Sequence, residues 1–253
     1  MNDYRRIYRV TDTRTDWPFT KERSDFSKCG QDGVLEALLG EDAEPGFCVE
    51  IGSGNGEQNN TRALVDRGWQ ALWIDPHLDR TPPRAGVRYR SALTTAETIR
   101  EDMTGAPKKF DVLSIDIDGV DYYVVAELLK AGFRPRIAVI EYNASWGSED
   151  AVAVAYDTSL RWAQDDYFSA SLPAWADLFA VYGYGLIGCE SVGADAFFQQ
   201  GAPIIKASEA FRPPAYNKGR GHRPSKRMPE IVLPPEKPTR RKRRKKAAAP
   251  ESP

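Results

Sequence analysis

Five short apolar runs, each tied to a helical pattern by a turn, limit this chain more than any other feature. They are FCVEIG (47–52), WQALWID (69–75), VRYRSA (87–92), FDVLSIDID (110–118) and PRIAVIEYN (135–143). Near-continuous apolar strands alternating with helices belong in a parallel sheet covered on both faces. The helical stretches are QDGVLEALLG, closed by Gly40, then QNNTRALVDRG, TTAETIREDM with Thr94 or Thr95 as its cap, and YYVVAELLKAG. After the amphipathic SLPAWADLFAVYG come YGLIGCES (184–191) and ADAFFQQG (194–201), parted by a turn near Gly193. So short a link permits only an antiparallel pair. The expected fold class is α/β, with a mixed sheet that is mostly parallel and ends in a hairpin.

Of the 253 residues, 41% are apolar, enough for one ordinary α/β domain without staples. Cys29, Cys48 and Cys189 lie far apart and fit no zinc spacing, so they read as free thiols. The N-terminal MNDYRRIYRVTDTRTDW lacks the apolar segment of a signal peptide. No run approaches the ~20 apolar residues of a membrane span. A cytoplasmic location is therefore expected. Residues 217–246 hold 13 Lys or Arg against 2 Glu, leaving 22 basic and 34 acidic residues elsewhere. The body is acidic and the tail basic. Seven prolines between 213 and 238 interrupt regular structure there. The expected organisation is an N-terminal extension (1–24), one domain (25–211) and a disordered Pro-rich basic tail (212–253).

EIGSGNGE places Gly52, Gly54 and Gly56 directly after the first strand, where glycine allows a tight turn and close approach of a ligand. A dinucleotide fold prefers GxGxxG, but the position for its third glycine is Glu57. Asp75, ending the second strand, is placed to take ribose hydroxyls. Glu50 beside the turn disfavours a pyrophosphate and suits a cofactor with a cationic or zwitterionic end. S-adenosylmethionine is expected rather than NAD.

Taken together, CVEIGSGNGEQNNT, ALWIDP, DVLSIDIDG, IAVIEYN and YGLIGCESVGADAFF resemble the class I S-adenosylmethionine-dependent methyltransferases, and more narrowly the FkbM-like group, over roughly residues 28–200. The resemblance implies a Rossmann-like three-layer α/β/α sandwich. Its seven-stranded mixed sheet has the order 3-2-1-4-5-7-6, with strand 7 antiparallel. It also implies that Glu50, Gly52, Gly54 and Gly56 surround the methionine part of the cofactor and that Asp75 holds the ribose diol. Ser91, Ala92 and Leu93 would adjoin the adenine, and Asp116 would face the cofactor's amino acid end. The group mostly methylates oxygen on sugars, glycans and polyketides, so the implied partner is a hydroxyl-bearing small molecule or glycan. The basic tail departs from the group's pattern.

Asp116, Asp118, Asp121, Glu141 and Asn143 fall at the carboxyl ends of strands four and five, where ligands of open α/β sheets lie. If strand four persists to residue 118, Asp116 and Asp118 point the same way. Three readings compete. A hard divalent ion such as magnesium would be held by Asp116, Glu141 and Asn143, with Asp118 as alternate. Without a metal, Asp118 or Glu141 is a general base raised by its crowded neighbours. Structurally, Asp118 or Asp121 caps the following helix. His77 reads as cofactor rim or surface. Tyr142 and Trp146 either stack on an acceptor or pack a lid, and Gln31 and Asp32 either line the pocket or start a helix. TRRKRRKK (239–246) could contact a polyanion, although no aromatic interleaves it to stack bases. The preferred function is O-methyl transfer. A nucleic acid methyltransferase guided by the tail and a non-catalytic cofactor-fold binding protein are the alternatives.

Overall fold

A computed structural model describes residues 16–78, 81–217 and 219–236. The sheet strands are β1 (Phe47–Ile51), β2 (Gln70–Ile74), β3 (Val87–Arg90), β4 (Lys109–Ile115), β5 (Arg134–Glu141), β6 (Tyr184–Cys189) and β7 (Asp195–Gln200). They form one seven-stranded sheet in the order β3-β2-β1-β4-β5-β7-β6. β1 to β5 pair in parallel, and β7 runs antiparallel between β5 and β6. The expected fold and strand order are both observed.

Side-chain alternation splits the core into two layers. Val49, Ile51, Leu72, Ile74, Leu113, Ile115, Ala138 and Ile140 face α3 (Ile99–Asp102), α4 (Asp121–Lys130) and α5 (Leu172–Val181). Cys48, Ala71, Trp73, Val112, Ile137 and Val139 face α1 (Gln31–Leu39) and α2 (Arg62–Asp66). The helices begin where local chemistry lets them. Ser171 caps α5, its Oγ accepting from the Ala174 N–H, with Pro173 in the first turn. Thr95 and Thr98 exchange hydroxyl and N–H bonds at the turn that opens α3, whose N-cap is Thr98 rather than the expected Thr94 or Thr95.

The chain ends add structure that the apolar pattern did not announce. Phe19 is buried, edge-on to Phe197 at 5.6 Å, which lays residues 16–21 against the sheet. Within the segment read as a tail, residues 212–217 and 219–236 make defined contacts with the body. Glu230–Ile231 pairs with Val152–Ala153 in a two-stranded ribbon. The Asp166 N–H donates to the Arg223 carbonyl, and Asp166 Oδ1 accepts from the Ser225 N–H. His222 packs its ring on Trp162, Phe168 and Tyr216. Backbone pairing and a few aromatic contacts order a segment whose own composition is too polar to form a core. The basic run 239–246 lies outside the described residues. All three cysteines are free thiols, and no helix among the described residues is long and apolar enough to cross a membrane.

Candidate functional site

The turn after β1 is held from beneath and from the side. Glu50 Oε1 accepts from the Asn60 N–H, and Oε2 accepts from the Thr61 N–H and hydroxyl. Burial pushes its carboxyl up to about 7 against these donors. Gly54 N–H donates to Asp75 Oδ2 at 2.9 Å, and His77 N–H donates to Asp75 Oδ1 at 2.8 Å. Asp75, 8% exposed, thus ties the glycine turn to the end of β2. The His77 ring itself stays at the exposed rim. Ser91 bonds the Pro76 carbonyl, bringing Ser91, Ala92 and the half-exposed Leu93 to the same edge.

The three glycines divide by what surrounds them. A Cβ on Gly52 would stand 1.7 Å from the Asp116 carbonyl oxygen, and one on Gly56 would stand 2.6 Å from the Trp73 ring. Those two glycines are demanded by the packing of the fold. Gly54, at φ +55, has nothing within 4 Å of such a Cβ among the described residues. It alone presents backbone to open space, which is what a bound ligand needs.

Across from this turn, β4 ends at Ile115, so Asp116 and Asp118 do not share a strand face as expected. The Asp116 N–H still donates to the Ile51 carbonyl, and the chain then turns at Asp118, whose φ is +54. Asp121 holds this turn: its two oxygens accept from the Ile117 and Gly119 N–H groups, both at 2.9 Å. Asp121 is the first residue of α4, whose N-cap is Val120 with no side-chain bond, so it braces the turn ahead of the helix rather than capping it as expected of Asp118 or Asp121. The turn, not strand alternation, brings Asp116, Asp118 and Glu141 together. One oxygen of each lies within 4.8 Å of the others.

Asn143, expected as a metal ligand, is fully buried and donates to the Asp166 and Phe168 carbonyls at 2.8 and 3.0 Å while accepting from the Ser145 N–H. Its amide is thus engaged in holding the backbone, and the carboxylates that lie together are Asp116, Glu141 and the alternate, Asp118. Tyr142 is likewise fully buried, its hydroxyl donating to the Arg212 carbonyl, and Trp146 lies edge-on to Tyr167. Both pack the protein. Asp32 belongs to the start of α1: its Oδ2 accepts from the N–H groups of Asp25, Phe26 and Ser27 and from the Ser27 hydroxyl, all at 2.8 Å.

That anchored 25–30 loop carries Lys28, which no sequence pattern singled out. Its Nζ lies 3.8 Å from Asp116 Oδ2. The ammonium is held up in pKa by Asp116 first, with Glu141, Asp118 and Asp195 adding to it. The Lys28 side chain is 56% exposed, so solvent screens the pair. Asp195 is equally unannounced. It sits directly across from Glu141 in the β5–β7 ladder and accepts from Gln31 Nε2. Like charges set opposite one another repel. Burial first, then Asp116, pushes Asp195 up to about 7. Burial, Asp116 and Asp121 push Asp118 up to about 7, and burial with the neighbouring carboxylates pushes Glu141 well above its ordinary value. Crowded carboxyls of this kind hold a proton near neutrality and can accept or give one.

Two cavities, of about 380 and 530 Å³, lie elsewhere, beside α1 and α2 and at the outer edge of β2 and β3. Neither is lined by the strand-end carboxylates, each of which is only partly buried. The candidate site is an edge between the glycine turn and the ends of β4 and β5.

No family model and no curated relative matches this chain. Among solved structures, a pericyclic reaction enzyme matches at 18% identity and a TM-score of 0.42, over 75% of this chain and 50% of its own. The CcbJ methyltransferase from Streptomyces caelestis matches at 13% and 0.39, over 68% of this chain and 89% of its own. Human N-acetylserotonin methyltransferase, in complex with SAM, matches at 8% and 0.38, over 62% and 48%. The chain spans about half the length of the first and third of these. At these scores the fold rests on strand order rather than on likeness. By that order the chain is a seven-stranded mixed α/β sheet consistent with a Rossmann-like three-layer sandwich.

Proposed function

We propose that this protein is an S-adenosylmethionine-dependent O-methyltransferase acting on a hydroxyl of a small molecule or glycan, as the resemblance to the FkbM-like group suggests. One juxtaposition carries the reading: the open backbone face of Gly54 beside Asp75, opposite three carboxylates within 4.8 Å of one another. In this reading Glu50, Gly52, Gly54 and Gly56 build the wall around the methionine part, and Asp75 takes the ribose. Ala92 adjoins the adenine, and Asp116 faces the amino acid end. The sulfonium already makes the methyl labile, so the protein's task is to align an oxygen behind it.

Asp118 and Glu141 are the groups to take the acceptor's proton. Each is held above the ordinary carboxylate range, which brings its basicity toward that of the working solution. Lys28 keeps the cluster from being uniformly anionic. Magnesium is a second reading, favoured by the spacing of the Asp116, Asp118 and Glu141 oxygens, which suits one hard divalent cation. Bound there, such an ion lowers the pKa of a coordinated hydroxyl. A nucleic acid acceptor is disfavoured, because four carboxylates around the site repel a phosphate backbone.

The test is calorimetry with S-adenosylmethionine and with NAD, followed by transfer of a radiolabelled methyl group to cell-extract fractions with and without a chelator. Binding of S-adenosylmethionine and label in product support the reading. Binding of NAD alone overturns it. Activity that survives the chelator excludes the magnesium reading.

A further inference from the structure

The stretch from Met228 to Leu233 holds the three most exposed large apolar side chains among the described residues: Met228 at 79%, Ile231 at 81% and Leu233 at 83%. Single apolar residues on a surface are ordinary, but a gathering of them marks a place of contact. The stretch is not a loose end. Glu230–Ile231 pairs antiparallel with Val152–Ala153, and the Val232 N–H donates to the Ala151 carbonyl at 3.0 Å. Val232 packs against the core, so alternation turns Ile231 and Leu233 outward on either side of it. A short ribbon pinned to the body thus presents two branched aliphatic side chains to solvent.

Charge of one sign frames them. Lys226 and Arg227, both exposed, precede Met228. TRRKRRKK (239–246) begins six residues after Leu233, a link that spans at most about 20 Å. Against the 13 Lys or Arg of 217–246 stand Glu230 and Glu236 alone. The rest of the chain has 22 basic and 34 acidic residues, so an anionic surface repels the body and attracts this segment. Nucleic acid uses the charges but leaves the aliphatic side chains idle, and no aromatic interleaves the run for bases to stack on. A second copy of the chain covers the aliphatic side chains but brings up another set of like charges. An anionic bilayer uses both, because its headgroup boundary takes the aliphatic side chains and its phosphates attract the cations.

We infer that residues 226–246 bind an anionic phospholipid membrane surface, with Met228, Ile231 and Leu233 entering the headgroup boundary and the basic run lying along the lipid phosphates. Both parts are needed, since a few aliphatic side chains hold a protein only marginally and surface charges are screened by salt. The inference stands apart from the methyl-transfer reading, because no residue of the glycine turn or of the carboxylate cluster takes part.

The experiment sediments full-length protein with vesicles of phosphatidylcholine alone and of phosphatidylcholine with about 30% phosphatidylserine, at about 0.1 M and about 0.5 M salt. One variant combines Ile231→Ser with Leu233→Ser. A second combines Arg240→Gln, Arg241→Gln, Arg243→Gln and Arg244→Gln. Thermal melting of each runs alongside. The wild type is expected on the phosphatidylserine vesicles at low salt, off them at high salt and off the neutral vesicles at both. The serine variant should bind about tenfold more weakly, and the glutamine variant at least about a hundredfold. Both should melt within about 2 °C of wild type, because exposed side chains contribute little to folding. A wild type that ignores the phosphatidylserine vesicles, or binds neutral ones equally, overturns the proposal. So does a serine variant that binds like wild type, which leaves charge alone at work. Melting that falls in step with binding assigns the two side chains a structural part and overturns it as well. Tighter binding to a duplex RNA than to the vesicles, unchanged in the serine variant, gives the segment to nucleic acid instead. A wild-type dimer that the serine variant dissociates gives the aliphatic face to a second copy, and either result sinks the membrane assignment.

Discussion

Alanine at Gly54 and at Gly52 should give opposite kinds of damage. At Gly54 the new methyl group meets no atom within 4 Å, so the cost is confined to holding an L-residue at φ +55. Left-handed backbone costs roughly 1–2 kcal/mol for such a residue. In a chain of this size each kcal/mol lowers the melting temperature by about 2–4 °C, so Gly54→Ala should melt some ~2–8 °C below wild type and remain folded. Its methyl group, however, projects into the space assigned to the cofactor, and S-adenosylmethionine affinity should fall at least about tenfold, the ~1.4 kcal/mol of one lost close contact. At Gly52 the Cβ would stand 1.7 Å from a backbone oxygen of Asp116, at φ +87. Neither partner is the end of a flexible side chain, so Gly52→Ala should not yield folded protein. Thermal melting and calorimetry with S-adenosylmethionine read both variants. A Gly54→Ala protein that melts as expected but binds the cofactor as tightly as wild type would refute the assignment of that open face.

The buried acids make stability depend on pH in a stated direction. Asp118, Asp195 and Glu50 are held up to about 7 and Asp121 to about 6, each by burial first. An acid raised on folding binds more protons folded than unfolded, so its contribution is complete below the unfolded value near 4 and is lost as pH rises toward 7. The melting temperature should therefore fall between pH 5 and pH 8; a rise across that range contradicts the burial argument. Asp118→Asn should melt above wild type at pH 8, and the gap should close at pH 5. Lys28→Met removes the cation that lowers Asp118 and Asp195, so the pH at half-maximal transfer rate should move upward; a profile that does not move removes Lys28 from the site. Asn143→Ala deletes a buried amide making three hydrogen bonds and should cost about 2–4 kcal/mol in denaturant unfolding, with no change in divalent-ion response.

Much of this protein was legible along the chain. Apolar runs such as WQALWID and the glycines of EIGSGNGE announce strands and a turn because period and backbone freedom are local properties. The linker near Gly193 announces an antiparallel pair because a short link has no other solution. The gathering of acids at the ends of β4 and β5 was visible for the same reason, since each follows its own strand. Which of those acids meet was not visible. Asn143 turns inward because the Asp166 and Phe168 carbonyls, more than twenty residues away, need its amide. Asp118 turns toward Glu141 only because Asp121 holds the intervening bend. Lys28 and Asp195 arrive from a loop and a cross-strand neighbour. A side chain's neighbours across the fold depend on where distant backbone runs, and spacing in one dimension carries no record of that.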